Sequence, residues 1–292
     1  MTEVRLSRPE EREAQERLWQ SVFGDDPRYI DAFYRCCGGP ECMLLLLEAG
    51  ELVSMLALLP HGLTLPGGER ASGFYVYALA TAPEARGRGY GLRLLREADG
   101  LLRARGADCA TVVPAQPGLF AYFAAAGFTN GFFTRTAERT CPQAPDTSSG
   151  SRVEAVEAEA YNAIRHRLLA DTPSVCYPDG LIRYQQEIGR LTGGGLFRVT
   201  AGGAEGCAAV EYADEARLVF KELLLPPEQL SRGVEAFGAL YPGRRCQVRT
   251  PAAWAGLPDS RLRPFGMLKW YRPELAGQWG EATPGYLGLG FD

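Results

Sequence analysis

One stretch constrains the fold of this chain more than any other: residues 73–96, GFYVYALATAPEARGRGYGLRLLR. Its first third, Phe74 to Ala80, is aromatic and branched and predicts a buried strand. Its middle is a turn with glycines at 87, 89 and 91, and its last third has helical spacing. Glycines leave the backbone uncrowded where the helix begins, so several N–H groups can point at one anion. The stretch therefore predicts a strand–turn–helix unit that binds a phosphate or a pyrophosphate.

Further strands flank this unit on both sides. Arg105 and Gly106 end the helix, and Asp108 to Val113 returns as a strand, so the strand–helix–strand connection implies parallel pairing. Upstream, the apolar runs Met43 to Glu48 and Leu52 to Leu59 are separated by Ala-Gly-Glu and predict a hairpin. The chain is therefore predicted to be an α/β (α+β) protein with a mixed, mostly antiparallel sheet.

The length of 292 residues suits two domains. Residues 141–152, rich in Pro, Ser and Gly, are the best linker candidate, which predicts a first domain over 1–140 and a second over 153–292. The second half is expected to begin with a helix over 153–170 and to end with a strand over 286–291. Because its elements follow the order of the first half, we predict an architectural repeat, in which each domain has a twisted sheet flanked by helices.

Composition excludes several classes of function. Lys and Arg number 31 against 35 Asp and Glu, a net charge of −4, which argues against a nucleic-acid partner. The eight cysteines include no Cys-x-x-Cys pair and only two histidines accompany them, so no metal site is expected. No apolar run approaches membrane-spanning length, and the first residues lack the apolar core of a signal peptide. We expect a cytoplasmic protein with reduced thiols and no membrane partner.

Three kinds of phosphate site compete for the glycine turn. A dinucleotide fingerprint needs Gly-x-Gly-x-x-Gly, and counting from Gly87 and Gly89 the third glycine is replaced by Leu92. A nucleoside-triphosphate loop needs Gly-Lys-Ser or Gly-Lys-Thr, which the turn lacks. What is left is an Arg-x-x-Gly-x-Gly turn that follows an antiparallel meander.

This turn and its flanks resemble the acetyl-CoA motif of the GNAT superfamily of N-acyltransferases. In that family the motif is Gln or Arg, two residues, Gly, one residue, and Gly or Ala, and Arg86, Gly89 and Gly91 match it. The strand before the turn, Pro83 within it and the amphipathic helix after it agree with the family. Gly127-Phe128 resembles the family's helix-to-strand junction, and the resemblance covers residues 43–136.

The resemblance implies an acetyl-CoA cosubstrate, no metal, and direct attack of an amine on the thioester. Backbone N–H groups of Gly87 to Leu92 would bind the CoA pyrophosphate. Arg86 or Arg88 would add a charge-assisted contact, with a solvated arginine as the alternative. The strand edge would pair with the pantetheine amides and polarise the thioester carbonyl. The acceptor would be an amine of a small molecule or a peptide. The implied CoA-binding residues are Leu79, Ala80, Thr81, Arg86, Gly87, Arg88, Gly89, Tyr90, Gly91 and Leu92.

The general acid is the open point of the resemblance. Many family members carry a tyrosine five residues before the phenylalanine of the Gly-Phe junction, but here Phe123 occupies that position. Its neighbour Tyr122, rotated by about 100° on the helix, is the candidate acid, with Tyr75, Tyr77 or solvent as substitutes. A core role for Tyr122 is the equal alternative, and a thiolate leaves at neutral pH without help. A CoA-binding sensor or scaffold without turnover is therefore the alternative function.

The second half lacks this apparatus. Its equivalent turn, Pro226-Pro227-Glu228-Gln229, removes two N–H donors and adds a negative charge, so a second CoA site is not expected. The arrangement resembles the tandem-domain, enhanced-intracellular-survival type of acetyltransferase, in which a degenerate GNAT-like domain follows the catalytic one. That type delivers its terminal carboxylate to the active site from a sterol-carrier-like third domain, for which 292 residues leave no room. Asp292 is the corresponding candidate base, and a homodimer is left open.

Overall fold

The computed structural model describes residues 1–144, 150–280 and 282–291. It confirms the predicted α/β class, because the strands of a mixed sheet alternate with helices that pack against them. The strands are β1 (Thr2–Leu6), β2 (Met43–Glu48), β3 (Glu51–Thr64), β4 (Arg70–Thr81), β5 (Cys109–Val112), β6 (Thr129–Thr140), β7 (Arg152–Ala155), β8 (Ser174–Cys176), β9 (Gly195–Ala201), β10 (Ala204–Tyr212), β11 (Arg217–Leu224), β12 (Arg245–Pro251) and β13 (Arg261–Trp270). The helices are α1 (Arg12–Phe23), α2 (Pro27–Cys36), α3 (Tyr90–Ala104), α4 (Leu119–Ala125), α5 (Ala158–Leu168), α6 (Asp179–Leu191), α7 (Leu230–Ala236) and α8 (Pro273–Ala276).

The described strands run together in one continuous sheet. Its order is β1-β2-β3-β4-β5-β13-β6-β12-β11-β10-β9-β7, and β8 pairs with β3 beside that path. The pairs β4–β5 and β11–β12 are parallel, as their intervening helices require, and the neighbouring pairs are antiparallel. The two halves of the chain join where β13 enters between β5 and β6 while β6 pairs with β12.

The predicted repeat is visible in the order of elements. The series β2, β3, β4, α3 and β5 is an antiparallel meander, a helix and a parallel strand, and the series β9, β10, β11, α7 and β12 has the same form. The division into domains 1–140 and 153–292 stays a prediction. Residues 145–149 of the predicted linker lie outside the described residues, and strands β6 and β13 each pair with strands of the other half.

The predicted helix over 153–170 is wrong at its start. Residues Arg152–Ala155 form β7, which pairs with β9 and opposes Val153 to Val199. The helix begins only at Ala158. The segment therefore forms an edge strand of the sheet instead of a helix, because β9, which is distant in sequence, is present to pair with it.

The predicted strand over 286–291 is also wrong. Tyr286 donates to Pro173 O and accepts from Val175 N–H, but no ladder follows. The next carbonyls are taken by side chains, since Arg165 donates to Leu287 O at 3.2 Å and Tyr177 donates to Leu289 O at 2.8 Å. The segment is therefore extended without being a strand.

The short loop between α1 and α2 is set by local sequence. Gly24 ends α1 with a φ of 74°, and the Asp26 side chain accepts from the backbone N–H of Arg28 to begin α2. Pro27 occupies the first helical position. This tight connection brings Asp25 beside β4.

No helix in the described part of the chain has the length and apolarity needed to cross a bilayer.

Candidate active site

The glycine turn carries a run of backbone donors without acceptors. After a short 3-10 turn at Pro83–Ala85 the chain passes through Gly87 and Gly89, at φ 76° and 77°, into α3. No backbone N–H from Gly87 to Leu92 donates to a described residue, whereas the next one, of Arg93, donates to Gly89 O at 3.0 Å. Free N–H groups at the positive end of a helix form a site for an anion.

Each of the three glycine positions in the turn excludes a residue with a Cβ for a physical reason of its own. A positive φ at Gly87 and Gly89 strains any residue that carries a Cβ. Gly91 is helical, but a Cβ there would lie 2.3 Å from the Tyr122 hydroxyl oxygen. A pocket of ≈350 Å³ lies over the turn, and its lining also includes Thr81, Arg86 and Tyr122.

The two arginines of the turn have different environments. Arg88 makes a bidentate ion pair with Glu48, with Nη1–Oε2 at 2.7 Å and Nη2–Oε1 at 2.5 Å. Tyr90 also donates to Glu48, and the hydrogen bonds from Tyr90 and Arg88 lower the pKa of that carboxyl. Arg86 lines the pocket and donates one hydrogen bond of 3.3 Å to Thr81 O. Arg86 is therefore the better placed of the two to contact a phosphate.

β4 has an open edge next to the turn. β5 pairs with it only at residues 73–75. From Val76 to Thr81 none of the described strands pairs with that side of β4, because β5 ends at Val112 and the two strands separate. Unpaired strand N–H and C=O groups are ready to bond to an extended ligand.

A β-bulge lies in the middle of this open edge. Between the pairs Ala57–Tyr77 and Met55–Ala80, β4 carries one residue more than β3. Ala78 takes up the extra length with a φ of 48°, an uncommon conformation for a residue that is not glycine. A bulge bends its strand and re-aims the neighbouring backbone groups, here those of Leu79.

A cavity of ≈330 Å³ opens at the bulge. Asp25 is the one charged residue among the described residues that line it, and its Oδ2 accepts from Trp19 Nε1 at 2.7 Å. Within the described chain no cationic side chain forms an ion pair with Asp25. A carboxylate set in aromatic walls attracts a cation. The aromatic lining residues are Trp19, Phe23, Tyr29, Tyr75, Tyr77, Phe123 and Phe291.

Three tyrosine hydroxyls form a chain at the wall of this cavity. The Tyr77 hydroxyl lies 2.9 Å from that of Tyr29 and 3.0 Å from that of Tyr184. Burial raises the pKa of Tyr77 and of Tyr184 well above the usual range, so both are neutral hydroxyls at neutral pH. The Phe291 ring packs 5.8 Å from the ring of Tyr77.

Helix α4 directs Tyr122 and Phe123 into different pockets. Phe123 and Leu119 line the cavity at the bulge, whereas Tyr122 lines the pocket over the glycine turn. The two side chains diverge because successive residues of a helix are about 100° apart. Burial raises the pKa of Tyr122, which keeps its hydroxyl protonated at neutral pH. The general-acid role of Tyr122 stays a prediction.

The histidines and cysteines contribute no metal site to the described residues, where no three His, Cys, Asp or Glu side chains gather to hold an ion. His61 is buried in β3, with Nδ1 3.1 Å from Gly62 O and Nε2 2.9 Å from Thr111 Oγ1. Burial lowers the pKa of His61 to about 4. His61 does not line the cavity, and it links β3 to β5.

Several cavity residues carry no sequence signal of their own. Asp25 precedes a helix start and is one acid among many in the sequence, and Phe291 is distant in sequence from β4. Only the fold brings both to the bulge. Asp292, the candidate base, lies outside the described residues.

Residues 3–126 match the family model of the acetyltransferase (GNAT) domain. The donor-lined turn, the open edge of β4 and the diverging β5 all lie within this range. The N-terminal region is a GNAT domain. A comparison with curated proteins found no match.

Solved structures extend the likeness of fold beyond the GNAT domain. A GCN5-related N-acetyltransferase from Kribbella flavida superposes with a TM-score of 0.69 at 14% identity, covering 92% of this chain and 71% of that one. Eis1 from Mycobacterium abscessus superposes with a TM-score of 0.66 at 17% identity, covering 92% of this chain and 73% of that one. A GCN5-related N-acetyltransferase from Anabaena variabilis superposes with a TM-score of 0.69 at 14% identity, covering 92% of this chain and 72% of that one. The second half of this chain therefore shares their fold as well.

The counterpart of the glycine turn in the second half is packed against protein. β11 pairs with β12 at residues 217–220, and a 3-10 turn at Pro227–Gln229 leads into α7. The Pro227 carbonyl oxygen packs closely against Gly256, because a Cβ built on Gly256 would lie 1.8 Å from that oxygen. The absence of a second CoA site stays a prediction, and the GNAT domain carries the site described above.

Proposed function

We propose that this protein is an acetyl-CoA-dependent N-acetyltransferase that acts on an amine of a small molecule or a peptide. The observation that carries the proposal is the run of free N–H groups from Gly87 to Leu92, which adjoins the unpaired edge of β4. Pyrophosphate bound at the run and pantetheine lying along the edge would account for both features. A match to the GNAT domain over the same residues supports it.

The proposal assigns each CoA contact to a named element. The N–H groups of the turn, including those of Arg88, Tyr90 and Gly91, would hold the pyrophosphate, and Arg86 would add a cation. Leu79, Ala80 and Thr81 on the β4 edge would pair with the pantetheine amides. The Arg88 side chain, held by Glu48, would shape the turn instead of touching phosphate.

Transfer would proceed by direct attack. The acceptor nitrogen forms a bond to the thioester carbon, the carbonyl oxygen takes negative charge, and the backbone N–H of Leu79, next to the bulge at Ala78, stabilises it. Collapse breaks the C–S bond and releases the CoA thiolate. An acceptor that arrives as an ammonium group loses one proton to solvent before it attacks and a second one as the amide forms. Tyr122 is the proposed donor to the thiolate and is reprotonated by the second proton, so the net reaction releases one proton to solvent. Positioning of both reactants supplies the rest of the acceleration.

The cavity favours an acceptor that is a cation before it reacts. Asp25 would bind an ammonium group, and the rings of Trp19 and Tyr29 would contact it through their faces. Small amines and the amino groups of peptides both meet this condition. The expected cytoplasmic setting stays a prediction.

The test is release of free thiol from acetyl-CoA by the purified protein with polyamines, aminoglycosides and lysine peptides as acceptors. We expect release with at least one amine and a rise in melting temperature with CoA alone. A melting shift without thiol release from any amine would favour the alternative, a CoA-binding sensor or scaffold. No melting shift with CoA would overturn both functions.

A further inference from the structure

A groove lined by three arginines lies on the sheet beside the acetyl-transfer cavity. Arg249 of β12 and Arg261 of β13 both directly oppose Thr136 of β6, and Arg263 opposes Thr134. Directly opposed residues of antiparallel strands point to the same face of a sheet, about 5 Å apart. The three guanidinium groups and two hydroxyls therefore share one face, and they line two adjoining pockets of ≈250 and ≈340 Å³.

The groove has a surplus of positive charge in a chain whose net charge is −4. Glu138 is the one acidic residue in the described part of its lining, and it already accepts from Arg217 Nη2 at 2.7 Å and from Gln247 Nε2 at 3.1 Å. Arg261 and Arg263 are exposed, and neither forms an ion pair with a residue that the structure describes. Their charge is available to an anion.

The groove adjoins the cavity. Val113 and Ala115, just after the end of β5, line both. Helix α4 separates the groove from the CoA side, because Phe120 lines the groove while Tyr122 lines the pocket over the glycine turn. Residues two positions apart on a helix are rotated by about 200° around its axis, so these two pockets lie on opposite sides of α4. A molecule in the cavity can therefore extend into the groove without displacing CoA.

We propose that the acceptor is dipolar, with its amine in the cavity near Asp25 and an anionic group, a carboxylate or a phosphate, over Arg261 and Arg263. This inference rests on the proposed function and names the acceptor class. A peptide with a free amino end followed by acidic side chains meets the condition. Two arginines beside threonine hydroxyls suit an oxyanion, since guanidinium groups bind carboxylate and phosphate through paired N–H donors.

The experiment compares kcat/KM for peptides of one length, all amidated at the C-terminus, that differ in side-chain charge: Ala-Ala-Glu-Glu, its Gln-Gln analogue and a phosphoserine form. We expect the carboxylate or phosphate peptide to be preferred about fivefold over the neutral one, which is the size expected for two exposed ion pairs. The preference should fall as salt is added. The two anionic peptides distinguish a carboxylate from a phosphate as the preferred group.

The double variant Arg261→Gln/Arg263→Gln should abolish that preference and leave transfer to the Gln-Gln peptide unchanged. The control Arg105→Gln/Arg232→Gln removes the same charge from exposed positions outside the groove and should keep the preference. Equal rates with all peptides in the wild type, or a preference that survives the groove variant, would overturn the inference.

Binding of fluorescently labelled Ala-Ala-Glu-Glu, followed by anisotropy, tests the groove separately from turnover. Weaker binding by the groove variant and not by the control supports the inference even if no thiol is released, in which case only the proposed transfer fails. Equal binding by both variants overturns it.

Discussion

Tyr122 and Phe123 are adjacent residues that line separate pockets. The position expected for a general acid holds Phe123, whose ring faces the cavity with nothing to donate. The Tyr122 hydroxyl instead lies beside Gly91 of the turn. Substitution of Tyr122 tests whether this hydroxyl takes part in acetyl transfer.

Tyr122→Phe is expected to lower kcat about tenfold with a smaller change in the KM for acetyl-CoA, because a proton donor to the thiolate is lost while the ring remains. The expected loss in kcat is small compared with the usual loss of a general acid, because a thiolate is a good leaving group even without a proton donor. Steady-state kinetics with Tyr77→Phe as the comparison measures it. An unchanged kcat in Tyr122→Phe and a reduced one in Tyr77→Phe would move the assignment to Tyr77.

His61 makes stability depend on pH. Its folded pKa of about 4 lies below the unfolded value of about 6.5, so the unfolded chain binds more protons between these values. The contribution of neutral His61 is fully present above pH 6.5 and is lost as pH falls toward 4, by about 3 kcal/mol in all.

Urea unfolding of the wild type and His61→Gln at pH 7.5, 6 and 5 checks this. The wild type should lose more unfolding free energy over this range than the variant does. His166→Gln is the matched control: burial also lowers the pKa of His166, but that side chain is exposed, so the variant should stay closer to the wild-type pH profile than His61→Gln does. Parallel pH profiles for wild type and His61→Gln would contradict the assignment.

At the scale of elements, the joint of β4 and α3 combines three devices: a bulge at Ala78, a turn with two positive-φ glycines, and a helix start with free donors. The glycine turn and the helix were predictable because their signals are local in sequence. The bulge was not, since an alanine at positive φ has no sequence signature and depends on pairing with β3.

Gly89→Glu is expected to weaken CoA binding at least about tenfold, because it adds a negative charge beside the pyrophosphate site. Gly89→Ala is the matched control, since it brings the same strain at φ 77° without the charge. Calorimetric titration with CoA measures both. Equal affinities in the two variants would mean that the phosphate groups bind elsewhere.

At the scale of the whole molecule, a buried ion pair in the second half of the chain holds the C-terminal segment in place. Arg165 Nε donates to Glu222 Oε1 at 2.8 Å, and both side chains are almost fully buried. Burial lowers the pKa of Arg165, but the Glu222 carboxylate together with Tyr177, Tyr161 and Tyr286 raises it above its usual range. Tyr161 and Tyr286 also donate to Glu222, at 2.6 and 3.1 Å. This network anchors the segment that carries Phe291 into the cavity.

Glu222→Gln should destabilise the fold by about 3–5 kcal/mol, because it leaves the Arg165 charge buried without a counter-ion. The matched control Glu154→Gln breaks the exposed pair with Arg152 and should cost less than about 1 kcal/mol. Urea unfolding measures both. A loss in Glu222→Gln as small as that of the control would contradict this account of the network.

The sequence by itself determined the local units: the α/β class, the glycine turn, the start of α2 at Asp26-Pro27 and the GNAT resemblance. Each depends on residues within one or two turns of each other, where glycine conformation, proline and apolar spacing act directly. The tertiary structure alone decided which distant segments meet. It placed β7 where a helix was predicted, inserted β13 beside β5, and brought Asp25, Phe291 and the arginine groove to the end of β5. Those contacts join segments far apart in sequence, from β7 with β9 to β13 with β5, and no local pattern encodes such a choice of partner.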